Sequence, residues 1–255
     1  MITAALSAPL VLICTYLGGW WFIGLVHLTC ALAGWEWGTL LGGRSRVLPA
    51  LTVLTALAFP ISTAMSLPTL APILLGVAIS LGVLLLPRTD LPAEPLFTGA
   101  AAMLGGTYAG ALFAPSMILR QAPDGLIWLM VIIIGTWACD TGAFVVGRAW
   151  GRHKLAPPIS PGKTIEGTVG GLVAAVIVGA LATVIYPQLG LRLLGLGFAV
   201  GISAVAGDLL ESALKRRLRV KDSGWIMPGH GGFLDRIDSL LLASFTGYIY
   251  VVLTA

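Results

Sequence analysis

One short stretch of the chain combines acidic, hydroxyl and basic side chains at helical spacing. Asp208, Ser212, Lys215 and Arg216 stand at positions i, i+4, i+7 and i+8, which places them on one face of a helix. A carboxylate and a hydroxyl supply oxygen ligands to a metal ion, and two cations bind the phosphates that such an ion accompanies. A basic anchor for anionic lipid head groups would explain the cations but not the Asp in line with them. The stripe therefore favours a site for a metal and phosphates.

Further carboxylates are expected in the same layer. Asp140 and Asp208 lie at matching distances from the ends of their apolar segments, so both are predicted about 10 Å below one surface. Asp235 and Asp238, at i and i+3, open a later helix and turn toward one side of it. Each Asp pairing with a nearby Arg or Lys is the simpler alternative. Clustered Asp oxygens suit Mg²⁺, which usually takes one or two carboxylates together with water and substrate phosphates.

A glycine-rich segment precedes Asp235. His230, Gly231 and Gly232 stand just before the predicted start of a helix. Glycines let backbone amides approach an anion closely, and a helix amino terminus favours negative charge. An anion-binding loop is the prediction, and a plain flexible turn is the alternative.

A second polar segment contains the fragment Gly162-Lys163-Thr164. A P-loop needs a glycine five residues before the glycine of this fragment, but Pro157 stands there, so the match fails. A lysine and hydroxyls still stand at the mouth of a helix, where anions are favoured. An ordinary helix start is the alternative.

The composition excludes a water-soluble protein. Of 255 residues, 57% are hydrophobic and 10% are charged, whereas soluble domains carry about 25% charged residues. The mean hydropathy is +0.96. The chain is therefore expected in a bilayer, in contact with membrane lipids. Because its basic residues are sorted by loop, nucleic acid is not expected as a partner.

Apolar stretches of about 20 residues, enough to cross a bilayer as helices, recur along the chain. The predicted fold class is an all-α polytopic integral membrane protein with about nine transmembrane helices. We divide it into amino-terminal helices over 1–116 and carboxyl-terminal helices over 117–255. The second part carries the polar loops 148–165 and 215–235, where catalysis is expected. The predicted spans are 3–18, 20–40, 49–66, 69–87, 96–116, 125–147, 166–186, 192–214 and 236–254.

The basic residues orient these helices. With this number of spans, all but two of the 15 Lys and Arg fall on one side, the exceptions being Arg120 and Arg192. Short cytoplasmic loops hold the excess of Lys and Arg. The amino end and both polar loops are therefore predicted to be cytoplasmic.

Read together, these segments resemble the membrane-bound phosphatidate cytidylyltransferases, also called CDP-diacylglycerol synthases. The carboxyl-terminal signature of that family is matched by Gly207-Asp208-Leu209, Ser212, Lys215-Arg216, Lys221-Asp222, His230-Gly231-Gly232, Asp235-Arg236 and Asp238. Further family motifs resemble Asp140 to Phe144, Ser160 to Gly167 and Ala33 to Trp37. Ile165 departs from the Trp that the family commonly has there.

The resemblance implies that the chain joins CTP and phosphatidate into CDP-diacylglycerol and pyrophosphate, for phospholipid synthesis, with Mg²⁺. It assigns Asp208 and Asp235 to the metal, with Asp238 in support. The other residues implied to be catalytic are Ser212, Lys215, Arg216, Lys221, Asp222, His230 and Arg236. Those implied to bind substrate are Asp140, Ser160, Lys163, Thr164, Glu166, Gly231 and Gly232.

Other functions stay open at this point. One is a related nucleotidyltransferase that acts on another lipid phosphate. A second is an ion-coupled transporter, which predicts charges near the bilayer midplane and repeated halves. The sequence also leaves open a second metal or a monovalent cation, a homodimer, the acyl-chain preference and the residues that recognise cytosine.

Overall fold

A computed structural model describes residues 2–42, 47–66, 95–218, 220, 222–224 and 231–254. These residues form nine α-helices, a short 3₁₀ helix at Pro187–Leu189 and one β-hairpin. The helices are α1 (Ile2–Leu17), α2 (Gly19–Gly42), α3 (Val47–Ala64), α4 (Pro95–Phe113), α5 (Pro115–Gln121), α6 (Gly125–Trp150), α7 (Ile165–Ile185), α8 (Leu191–Arg217) and α9 (Leu234–Thr254).

The predicted apolar segments largely coincide with helices. Every one of them does so except 69–87, which lies outside the described residues. Within the part of the chain that the structure describes, six helical segments are long and apolar enough to cross a membrane. They are Val47–Ala64, Ala102–Gln121, Gly125–Trp150, Ile165–Ile185, Leu191–Arg216 and Leu234–Thr254. The fold is therefore that of a helical, multi-pass membrane protein.

The all-α prediction needs one correction, in the polar loop predicted over 148–165. Helix α6 continues to Trp150, and strands β1 (Lys154–Ala156) and β2 (Ser160–Thr164) then pair antiparallel. Lys154 lies opposite Thr164, and Ala156 lies opposite Ser160. A hairpin satisfies the backbone of this polar segment with strand hydrogen bonds, which an irregular loop would leave to water.

The chain divides into two compact units. The first consists of Met1–Ile118 together with Asp222–Arg236, and the second of Leu119–Lys221 together with Ile237–Ala255. In the first unit α2, α3 and α4 pack against one another, and in the second α6, α7 and α8 do so. The segment 222–236 thus packs with the amino-terminal helices, although more than 100 residues separate them along the chain.

Glycine permits close approach of helices in both units. A Cβ atom added to Gly38 would lie 2.3 Å from the Cα atom of Pro49, so α2 and α3 meet through backbone. One added to Gly207 on α8 would lie 2.7 Å from the carbonyl oxygen of Asp238 on α9. Small residues at helix contacts are the usual solution in membranes, where close packing replaces hydrophobic burial as the driving force.

Helix α7 presents an apolar stripe at its outer face. Val169, Val173, Ile177 and Leu181 follow one another at i+4 spacing, and each side chain is more than half exposed. A continuous apolar stripe is unfavourable in water and stable against lipid tails. This face is therefore suited to the hydrocarbon core of a bilayer.

Candidate functional site

Asp208 lies at the centre of the polar groups of the second unit. The ammonium nitrogen of Lys163, on β2, lies 2.7 Å from its Oδ2 atom. The hydroxyl of Ser212, one turn later on α8, donates to Oδ1 at 3.3 Å. The predicted i, i+4 relationship of Asp208 and Ser212 is thus confirmed. The hairpin brings Lys163 to the same carboxylate, a contact that the sequence did not indicate.

Two more predicted carboxylates lie in the same unit and interact with Asp208. The charges of Asp140 on α6 and Asp238 on α9 act on one another, and each acts on Asp208. The hydroxyl of Ser239 donates to Asp140 at 3.4 Å, and its backbone N–H donates to Asp238 at 2.7 Å. Of the four carboxylates predicted to gather, Asp140, Asp208 and Asp238 therefore interact within one unit, and Asp235 belongs to the other.

Glu211 belongs to this group and was missed from the sequence. Its side chain is fully buried, and the ammonium nitrogen of Lys215 lies 3.4 Å from its Oε1 atom. The carboxyl of Asp238 also interacts with Glu211. The available signal was its spacing, three residues after Asp208 and four before Lys215. We call Asp140, Lys163, Asp208, Glu211, Lys215 and Asp238 the charged cluster.

Arg216 holds the hairpin to α8. Its Nε–H donates to the carbonyl oxygen of Ile159 at 3.2 Å, and a terminal N–H donates to that of Val220 at 3.2 Å. These contacts fix the turn of the hairpin above the end of the helix. Arg216 therefore supports the strand that carries Lys163.

Two residues predicted to bind substrate make structural hydrogen bonds. The Thr164 hydroxyl accepts from the backbone N–H of Gly167 at 3.1 Å and so caps α7. Glu166 accepts from the backbone N–H groups of Arg152 and His153, and its Oε1 atom lies 2.6 Å from Nδ1 of His153. These contacts fit the alternative of an ordinary helix start, and substrate binding by Thr164 and Glu166 stays a prediction. Ser160 begins β2 and is half-buried.

Asp235 is held by the backbone of its own segment, in the first unit. Its carboxylate accepts from the N–H of Ser223 at 3.0 Å and from that of Gly232 at 2.9 Å. Gly231 adopts a positive φ of 81°, and a Cβ there would lie 2.9 Å from Oδ2 of Asp235. The predicted Gly231-Gly232 pair therefore shapes a cradle for a carboxylate of the protein itself.

Glu36, on α2, joins this segment to the amino-terminal helices. Its side chain is 1% exposed. Its carboxylate accepts from the Ser223 hydroxyl at 3.0 Å and from the backbone N–H groups of Phe233 and Leu234 at 2.8 and 2.7 Å. The motif Ala33 to Trp37 contained Glu36, but nothing in the sequence pointed to partners almost 200 residues away.

The remaining predicted residues lie at the surface or outside the described part. Asp222 and Arg236 are exposed. Lys221 and His230 lie outside the described residues. The structure therefore gathers Asp140, Lys163, Asp208, Ser212, Lys215 and Asp238 in the second unit, and Asp235 with Gly231 and Gly232 in the first.

The carboxylates of the charged cluster and the neighbouring Ser212 hydroxyl fit a hard cation by their chemistry. Among the described residues, no group of three or more His, Cys, Asp and Glu side chains is arranged to hold a metal ion. Mg²⁺ does not need such a group, because substrate phosphates and water complete its six ligands. Asp208 and Asp238 would supply carboxylate oxygens, and Ser212 would supply a hydroxyl. This oxygen chemistry suits Mg²⁺ and does not suit softer metals.

Together, the helices and the charged cluster define a class: multi-pass membrane proteins that keep interacting carboxylates and lysines inside a helical unit. Such groups are costly in a membrane and mark functional sites. A sequence profile of the Cytidylyltransferase family matches residues 1–254, so this chain belongs to that family.

Individual relatives agree with the family match. The chain is 41% identical over 145 residues to a phosphatidate cytidylyltransferase of Staphylococcus haemolyticus strain JCSC1435, covering 56% of this chain and 55% of that protein. It is 45% identical over 121 residues to that of Staphylococcus saprophyticus, covering 46% of each chain. It is 40% identical over 141 residues to that of Bacillus subtilis strain 168, covering 54% of this chain and 52% of that protein. The aligned part thus spans about half the length of the relatives it matches.

Proposed function

We propose that this protein transfers the cytidylyl group of CTP to phosphatidate, giving CDP-diacylglycerol and pyrophosphate for phospholipid synthesis. The contact that carries the proposal is that of Lys163 with Asp208, 2.7 Å apart, in a chain of the Cytidylyltransferase family. A lysine and carboxylates side by side can bind phosphates and a divalent cation at one place. The similarity to proteins named phosphatidate cytidylyltransferase supports the choice of nucleotide and lipid.

The reaction is an in-line substitution at the α-phosphorus of CTP. An oxygen of the phosphatidate phosphate forms the new P–O bond, while the bond from the α-phosphorus to the bridging α–β oxygen breaks. Pyrophosphate leaves with that electron pair. The attacking phosphate is already ionised at neutral pH, so no strong base is needed. Positioning and charge neutralisation supply most of the catalysis.

The charged cluster, with the neighbouring Ser212, provides the positioning and the charge neutralisation. Lys163 and Lys215 bind and neutralise phosphate oxygens, and the Ser212 hydroxyl donates to one of them. Asp208 and Asp238 would hold Mg²⁺, the metal to which the family resemblance also assigns Asp235. When bound, Mg²⁺ neutralises the charge that develops on the phosphates of CTP. Asp140 orients Ser239, whose backbone N–H holds Asp238.

The site faces the cytoplasm of a cell whose inner membrane contains the helices. The sorting of basic residues supports this orientation, with the amino end also cytoplasmic. CTP then reaches the cluster from the cytoplasm, and phosphatidate reaches it from the surrounding leaflet.

The test is nucleotide transfer by the purified full chain in detergent, with phosphatidate, Mg²⁺ and each of the four radiolabelled nucleoside triphosphates. Labelled CDP-lipid from CTP alone, lost with a chelator and in Asp208→Asn, is the expected result. Asp124→Asn is the matched control, because Asp124 is exposed, makes no capping hydrogen bond and precedes α6. Its left-handed backbone is one that Asn also tolerates.

Two results would overturn the proposal. One is folded protein that gives no lipid product with any nucleotide. The other is a product from a different lipid phosphate but none from phosphatidate, which would establish a related nucleotidyltransferase instead.

A further inference from the structure

Glu36 is a buried carboxylate that the proposed reaction does not use directly. It lies on α2, and its exposure is 1%. A buried charge is strongly unfavourable unless hydrogen bonds compensate it. Here they come from the Ser223 hydroxyl and from the backbone N–H groups of Phe233 and Leu234, all at 3.0 Å or less. Every one of these partners belongs to the segment that leads into α9.

The carboxylate acts as a helix cap supplied from another part of the chain. Phe233 and Leu234 stand at the start of α9, where backbone N–H groups have no partner within the helix. A negative charge at this end also interacts favourably with the helix dipole. Glu36 thus fixes where α9 begins and how it is directed.

Two glycines pack tightly against the Glu36 carboxylate. A Cβ added to Gly232 would lie 2.6 Å from Oε2 of Glu36, and one added to Gly224 would lie 2.5 Å from Oε1. Backbone at both positions therefore closes directly on the carboxylate. Any other side chain at either glycine would displace it.

Ser223 links Glu36 to Asp235. Its hydroxyl donates to Glu36, while its backbone N–H donates to the carboxylate of Asp235 at 3.0 Å. Ser223 thus bridges the carboxylates of Glu36 and Asp235 by hydrogen bonds. The orientation of Asp235 depends on a residue that Glu36 holds.

We infer that Glu36 is a positioning residue for nucleotide transfer, acting through Ser223 and the start of α9 on Asp235. The inference rests on the proposed function and on the family resemblance, which assigns Asp235 to Mg²⁺. Partners that orient metal ligands typically change metal affinity or activity 10- to 100-fold when they are removed. Glu36 would belong to this group although it touches neither substrate nor metal.

The decisive variant is Glu36→Gln, which keeps the shape of the side chain and removes its charge. We expect about tenfold more Mg²⁺ at half-maximal rate, with a smaller change in KM for CTP. A variant with fewer folded molecules would turn over more slowly, but its Mg²⁺ requirement would not move. Ser223→Ala, which removes only a hydroxyl, should shift the requirement in the same direction, and Asp124→Asn should leave it unchanged.

Amide hydrogen exchange gives a readout independent of activity. In Glu36→Gln, exchange at Phe233 and Leu234 should accelerate, while amides of α7 keep their wild-type rates. Unchanged exchange together with an unchanged Mg²⁺ requirement in folded Glu36→Gln would overturn the inference. If Glu36→Gln does not fold, Ser223→Ala decides by the same two measurements.

The inference and the proposed function fail in different ways. Wild-type protein without any transfer activity would refute the function, and exchange would still report on the cap. If wild-type protein is active and Glu36→Gln has the wild-type Mg²⁺ requirement and amide exchange, the inference is refuted and the proposed function stands.

Discussion

The ammonium nitrogen of Lys163 lies 2.7 Å from Oδ2 of Asp208, although the two residues belong to a β-hairpin and a helix 45 positions apart. Their side chains are 22% and 34% exposed, so the pair is not sealed in the interior of the protein. An ion pair of this kind contributes little to stability. Its value lies in holding a cation and a carboxylate together where phosphates and a metal would bind.

Lys163→Ala should lower kcat/KM for CTP about 100-fold, a size typical of losing one group that stabilises charge in the transition state. Lys163→Arg should retain part of the activity, because it keeps the charge but not the point geometry of an ammonium group. Steady-state kinetics with phosphatidate in mixed micelles measures both. Lys154→Ala is the control, since Lys154 is exposed on the other strand of the same hairpin. Equal losses at Lys154 and Lys163 would show that only the fold of the hairpin matters.

Asp208→Asn should abolish measurable transfer, because the amide keeps the shape but is a far poorer ligand for a hard cation. Removal of Mg²⁺ from wild-type protein by a chelator should have the same effect and should be reversed by added Mg²⁺. The assay is CDP-lipid formation over a Mg²⁺ titration. Transfer that persists in chelator, or in folded Asp208→Asn at wild-type rate, would remove this residue from the metal site.

The apolar helices and the neighbouring positions of Asp208 and Ser212 were predictable for physical reasons. A membrane helix needs about 20 apolar residues, so the apolar stretches of α7 and α8 predict these helices directly. The Asp208 and Ser212 contact follows from helix geometry alone. Both features depend on residues that are close in sequence, so the sequence pattern predicts them.

The long-range contacts were not predictable in the same way. The hairpin at Lys154–Thr164 contains three prolines, which predict a loop, and its strands are too short to show alternation. Ser223 and Glu36 meet across 187 positions, and no spacing rule connects them. Glu211 was hidden because a charged residue near the end of a basic helix reads as a surface group, whereas packing buries it completely.

Lys215→Met should destabilise the protein by about 3 kcal/mol, the usual result of removing one partner from a buried charge pair. Lys215 is 12% exposed and Glu211 is fully buried, so the variant removes a positive charge from beside a buried carboxylate. Thermal unfolding in detergent, followed by circular dichroism, gives the change. Adding Glu211→Gln to this variant should restore most of the stability. A double variant as unstable as Lys215→Met would show that the charge of Glu211 is compensated elsewhere.

Gly207→Ala should both destabilise the protein and reduce transfer, because its Cβ would lie 2.7 Å from the carbonyl oxygen of Asp238. Backbone cannot yield as a flexible side chain does, so α8 and α9 must separate and Asp238 must move relative to Asp208. Gly24→Ala is the matched control, since nothing lies within 4 Å of a Cβ at that position on α2. Alanine there should be neutral or stabilise the helix by about 0.5–1 kcal/mol. Unfolding midpoints and transfer rates of the two variants distinguish the effect of the close contact from that of helix propensity. If Gly207→Ala is as stable and as active as Gly24→Ala, then α8 and α9 tolerate the added methyl group.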